Sequence, residues 1–66
     1  MNIVVNGEDF EFKEPITLIE VIKSLKVESK VMAAAINMEI IKKDNWTTQK
    51  VEDGDKIELL HFVGGG

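Results

Sequence analysis

Cysteine is missing from all 66 positions of the chain. Without a thiol there is no disulfide framework, no thiolate metal site, no iron–sulfur cluster and no cysteine nucleophile. Arginine is missing too, so the positive charge rests on eight lysines against twelve acidic residues, for a net charge of −4. Nucleic-acid recognition needs a basic footprint and leans on the guanidinium fork for bidentate contacts, so that class of partner is excluded. An acidic surplus favours solubility and suits docking onto a basic protein surface. The single histidine, His61, has no partners of its own kind with which to hold a metal. No apolar run approaches the ~20 residues that span a bilayer, and no basic stretch with an apolar segment opens the chain. The expectation is a soluble cytoplasmic protein without membrane contact.

What is present is ordinary for a small globular domain: 44% hydrophobic and 30% charged residues. A chain of 66 residues makes one domain. It buries only ~60% of the surface its unfolded form exposes, which predicts modest stability.

Turn and period signals divide the chain. Asn2 to Asn6 reads as a strand and Asn6-Gly7 as a tight hairpin turn, because both residues accept the positive φ it requires. The return strand is expected over Phe10 to Lys13, where phenylalanine alternates with charge at a period of two. Glu14-Pro15 ends it, since proline cannot donate to a ladder. Thr17 with Glu20 three residues on is a capping box, and Ile16 with Val21 is placed for a hydrophobic staple. Leu18, Val21, Ile22 and Leu25 then form one apolar helical stripe, with Lys23, Ser24 and Lys26 mostly on the wet side. The helix is expected to fade between Leu25 and Glu28. Val31 to Ile36 reads as a strand, Asn37-Met38-Glu39 as a turn, and Ile40-Ile41 as a further strand. Lys42 to Gln49 reads as an irregular connection pinned by Trp46. Gly54 takes the left-handed position of the turn Val51-Glu52-Asp53-Gly54-Asp55, and a last strand runs from Lys56 to Val63. A hairpin, one helix, a strand pair and a terminal strand predict an α+β fold. That is the β-grasp: a mixed sheet with one main helix across one face, the first and last strands adjacent in its middle. The domain is expected over residues 1–63, and residues 64–66 are expected to be a flexible tail.

In the last strand Ile57, Leu59, His61 and Val63 share one face, and Glu58, Leu60 and Phe62 the other. An unpaired carboxylate avoids a core, so Glu58 marks the second face as wet. Leu60 and Phe62 then become exposed apolar residues beside the tail, with Val4 of the first strand on the same side. Such clusters mark interfaces. His61 is read as structural rather than functional, the other carboxylates as solvated surface, and Met1, Met32 and Met38 as packing or start residue.

The opening Met-Asn-Ile-Val-Val-Asn-Gly, the stretch Ala33-Ala34-Ala35-Ile36-Asn37, the turn Val51-Glu52-Asp53-Gly54-Asp55 and the terminal glycines carry a resemblance over essentially the whole chain. It resembles the ThiS family, the ubiquitin-like sulfur carriers of bacterial thiamine biosynthesis. The Asp-Gly-Asp turn is weakly specific, whereas Gly-Gly after a hydrophobic last strand is far more so. Three glycines stand where the family pattern demands two; Gly64 lengthens the tail without disturbing its end.

The resemblance implies a carrier and not an enzyme, with no catalytic residue, no metal and no bound cofactor. An E1-like adenylating enzyme would use ATP to convert the Gly66 carboxylate to an acyl-adenylate. A persulfide donor such as a cysteine desulfurase would then replace AMP with sulfur, and the Gly66 thiocarboxylate would supply a thiazole synthase. Gly64 and Gly65 would give access, because a residue without Cβ threads a narrow site. Val4, Leu60 and Phe62 would dock the partner. Two other functions stay open at this point. One is the small subunit of molybdopterin synthase, with the same fold and terminal thiocarboxylate. The other is a ubiquitin-like modifier or interaction module without sulfur chemistry.

Overall fold

The structure, a computed structural model, describes residues 1–61. Among these residues lie five strands and one α-helix: β1 (Asn2–Val5), β2 (Glu8–Glu11), α1 (Leu18–Ser24), β3 (Val31–Ile36), β4 (Glu39–Ile41) and β5 (Lys56–His61). They form one sheet in the order β2-β1-β5-β3-β4, with β1 and β5 parallel and the other neighbours antiparallel. This is the expected β-grasp, with the first and last strands side by side in the middle.

Local chemistry accounts for most element boundaries. Asn6 and Gly7 have φ of 48° and 84°, the pair of positive values that a two-residue type I′ hairpin needs. That tight turn starts the return strand at Glu8, two residues earlier than the alternation of Phe10 and Phe12 suggests. Pairing also outlasts the strand: Phe12 donates its N–H to the Met1 carbonyl at 2.9 Å, and the Met1 amino group reaches the Phe12 carbonyl at 2.7 Å. Asn37 and Met38, at φ of 50° and 71°, make a second turn of the same hand between β3 and β4. Both outer strands are poor templates for another chain, β2 because it carries Glu8, Asp9 and Glu11, β4 because it has three residues.

The helix starts at the expected place. Thr17 is extended at φ −102° and ψ 165°, and the Glu20 carboxylate accepts its N–H at 2.8 Å and its hydroxyl at 3.1 Å. The first helical N–H groups have no partner within the helix. Here the connection after β4 supplies them: Leu18 donates to the Gln49 carbonyl at 2.8 Å and Ile19 to the Trp46 carbonyl at 3.0 Å. Leu25 closes the helix and Lys26 turns the chain at φ 60°.

The core lies between α1 and one sheet face. Leu18, Val21 and Ile22 of the helix meet Ile3, Val5, Val31, Ala34, Ile36, Ile57 and Leu59 of the sheet, with Trp46 and Val51 sealing one side. Trp46 is buried and donates its indole N–H to the Ile41 carbonyl at 2.9 Å, so its polar atom enters the core satisfied. The connection from Lys42 to Gln49 is therefore anchored at its centre. Met32 and Met38 are not packing residues. Met32 falls where the β3–β5 register shifts, and Met38, 90% exposed, sits at the tip of its turn.

Candidate functional site

The site is built around the upper end of β5, because any chemistry in the residues that follow is presented from there. Leu59 is 7% exposed and Leu60 is 61% exposed. One step along a pleated strand thus moves the side chain from the core to solvent. Leu60 sits opposite Ala33, Glu58 opposite Ala35, and Ala35 in turn opposite Ile40 of β4. Ile40 is 75% exposed. Together Ala33, Ala35, Ile40 and Leu60 floor a shallow groove on the sheet face that α1 leaves uncovered, with Glu58 and Asn6 at its margin.

Val4 is half-buried on the same open face, but its partner in β5 is Lys56. Lys56 precedes Leu60 by four residues, about 13 Å of strand. The structure therefore joins Leu60 to Ala33, Ala35 and Ile40 and sets Val4 apart, beside Met38 and Lys56 in a second hollow between the two hairpin turns. Phe62, Gly64, Gly65 and Gly66 lie outside the described residues. His61 faces the helix side and is half-buried, lining a cleft with Glu8, Phe10, Leu25 and Val27.

Two side-chain clamps hold β5 in register. At its start, Asn37 accepts the Lys56 N–H at 2.9 Å and donates to Asp55 Oδ1 at 3.0 Å. The other oxygen of Asp55 accepts the Glu52 N–H at 2.8 Å. The turn is further tied to β1: Asn2 donates to the Asp53 carboxylate at 2.6 Å, and Gly54, at φ 86°, donates to the Asn2 carbonyl at 2.7 Å. Near its end, Asn6 accepts the Leu59 N–H at 2.8 Å and donates to the Leu59 carbonyl at 3.2 Å. Asn6 of the opening Asn-Gly and Asn37 of Ala-Ala-Ala-Ile-Asn thus brace the last strand directly, Asp55 of Val-Glu-Asp-Gly-Asp holds Asn37 in place, and Asp53 ties the same turn to β1.

The match to known proteins is as continuous as this scaffold. A model of the ThiS family matches residues 3–66. The chain belongs to the ThiS family. A crystal structure of a thiamine biosynthesis protein (ThiS) from Geobacter metallireducens is similar with a TM-score of 0.82 and 33% identity, each chain covered in full (100%). The sulfur carrier protein ThiS of Bacillus subtilis is 36% identical over 63 residues, 94% of this chain and 96% of that protein. A thiazole synthase of Paramagnetospirillum magneticum is 38% identical over all 66 residues, but the chain spans only 20% of that protein's length.

The sequence pattern does not assign Ile40, Ala33 or Ala35 to the docking face. The in-out alternation of β3 marks Ala33 and Ala35 as one face, but only the register of the β3–β4 hairpin brings Ile40 beside them. The Asn6-Gly7 pair signals only a turn in the sequence. The distance of Asn6 from Leu59 in the chain, 53 residues, hides its second role.

Proposed function

We propose that Gly66 carries the chemistry, as the residue whose terminal carboxyl is activated and then loaded with sulfur. The chain is a sulfur carrier of thiamine biosynthesis, a co-substrate rather than a catalyst. What carries the reading of Gly66 is the reach of the family match, which runs through residue 66 and takes in 96% of the Bacillus subtilis carrier. Because the named relatives are thiamine proteins, the thiamine reading is favoured over a pterin carrier or a protein modifier.

A carboxylate is a poor electrophile. An adenylating enzyme would transfer AMP from ATP to the Gly66 carboxylate, releasing pyrophosphate. The terminal sulfur of a donor persulfide would attack the acyl carbon and expel AMP, leaving an acyl disulfide. A thiol would then cleave the S–S bond, freeing the thiocarboxylate and carrying the donor sulfur away as a disulfide. The thiocarboxylate would serve a thiazole synthase, a partner supported by the likeness to such an enzyme. Gly64 and Gly65 would let the chain enter a closed site, since three extended residues reach about 10 Å. Leu60, with Ala33, Ala35 and Ile40, would dock the partner's apolar surface; Phe62 and Val4 would extend the contact at either end. The setting would be cytoplasmic, where ATP is available. No helix among the described residues is long and apolar enough to cross a membrane.

The test is mass spectrometry of the protein after incubation with ATP, the activating enzyme and a persulfide donor. One carboxylate oxygen should be replaced by sulfur, with the change localised to Gly66. A version extended by one residue moves the carboxylate by about 3.5 Å, and it should bind the enzyme but form no adenylate, because a 1 Å error can already cost ~100-fold in rate. Normal thiocarboxylate formation on the extended chain would show that Gly66 is not the reacting group.

A further inference from the structure

Asn6 does more than its turn requires. The parallel pairing of β1 with β5 covers only Val4 with Lys56 and Val5 with Ile57, while β5 runs on to His61. The backbone ladder ends with the Asn6 N–H on the Ile57 carbonyl at 2.9 Å. There the chain turns away at φ 48° into the hairpin. The next rung is made by the side chain: Oδ1 accepts the Leu59 N–H at 2.8 Å and Nδ2 donates to the Leu59 carbonyl at 3.2 Å. The carboxamide acts as a peptide group would, extending the ladder by one step where no strand continues. Glycine would satisfy the positive φ equally well. Asparagine tolerates that φ and also offers one donor and one acceptor, so the clamp explains the residue better than the turn does.

We infer that Asn6 is a positioning residue for sulfur transfer. It holds β5 at Leu59, and so fixes both the open-face docking residue Leu60 and the point from which the chain departs toward Gly66. This role rests on the reading of Gly66 as the reacting residue. Gly66 stands five positions beyond His61, a span of at most about 18 Å. Freedom at Leu59 would spread the carboxylate over a wider volume, and reactive groups lose rate steeply with displacement.

The test uses Asn6→Gly, which keeps the turn and removes the clamp, and Asn6→Asp, which keeps an acceptor for the Leu59 N–H but loses the donor. In the isolated chain, amide exchange at Leu59 should quicken ~10-fold or more in Asn6→Gly, while amides of the β3–β4 ladder hold their rates. With activating enzyme and donor saturating, at a temperature where circular dichroism shows both variants folded, kcat for thiocarboxylate formation should fall in the order wild type, Asn6→Asp, Asn6→Gly. The full span should be ~10-fold or more. A purely structural Asn6 would lower the thermal midpoint and leave kcat of the folded protein unchanged. Equal kcat in all three proteins overturns the inference, as does unchanged exchange at Leu59. If Asn6→Gly does not fold, Asn6→Asp decides alone, and an unaltered kcat there is fatal to the proposal. A wild type that never acquires sulfur removes the Gly66 reading and this role with it, whereas variants that match an active wild type remove this role only.

Discussion

Leu59 and Leu60 are adjacent, chemically identical and opposite in environment, so the same substitution at each isolates the effect of the sheet's two faces. At Leu59, 7% exposed, aspartate removes a buried side chain and strands a carboxylate in the core. Truncation of a core leucine alone costs about 2–5 kcal/mol, and an unpaired buried polar group adds several more. A domain of 66 residues holds only about 3–10 kcal/mol in total, at ~0.05–0.15 kcal/mol per residue. Leu59→Asp should therefore unfold the protein. At Leu60, 61% exposed, only about two-fifths of a full burial is lost, at most about 1 kcal/mol. The thermal midpoint should drop by no more than roughly 4–8 °C. Binding to the adenylating partner should weaken ~10-fold or more if Leu60 is central to that contact. Thermal melts followed by circular dichroism and titration calorimetry against the partner measure both quantities. If Leu60→Asp unfolds as Leu59→Asp does, the two faces have been assigned the wrong way round; if it folds and binds at full affinity, the open face is not the docking surface.

Two further outcomes test the scaffold. Glu20→Ala removes the carboxylate that accepts both the N–H and the hydroxyl of Thr17; it should cost about 1 kcal/mol, read as a lower thermal midpoint with unchanged binding to the partner. Trp46→Phe keeps an aromatic ring but leaves the Ile41 carbonyl without the indole N–H; a loss of about 1–3 kcal/mol is expected in denaturant unfolding, and a neutral result would show that the connection is not held there.

Much of the fold was legible because its signals are local. Asn6-Gly7 states a turn through backbone sterics, Thr17 with Glu20 states a helix start through hydrogen bonding, and the alternation in β5 separates Leu59 from Leu60. The start of β2 was misplaced because the two-residue turn, not the alternation of Phe10 and Phe12, decides where pairing begins. The exposure of Met32 and Met38 was missed for a related reason. An apolar residue at a register shift or a turn tip has no regular face, and hydrophobicity alone does not say which way it points.

The candidate site divides along the same line. Sequence by itself determined the glycines at residues 64–66, the placing of Leu60 on the wet face, and the family likeness that joins them to sulfur transfer. Only the tertiary structure decided which residues stand beside Leu60. Ala33 and Ile40 reach it through pairings set by the β3–β4 hairpin and by the contact of β3 with β5, while Val4 falls about 13 Å down the strand because the parallel register starts at Lys56. The tertiary structure also decided the second use of Asn6, whose carboxamide meets Leu59 across 53 residues of chain. A strand's pattern specifies its faces, since side chains alternate by geometry. Its neighbours and its register come from the packing of the whole core, and no short stretch of sequence holds that information.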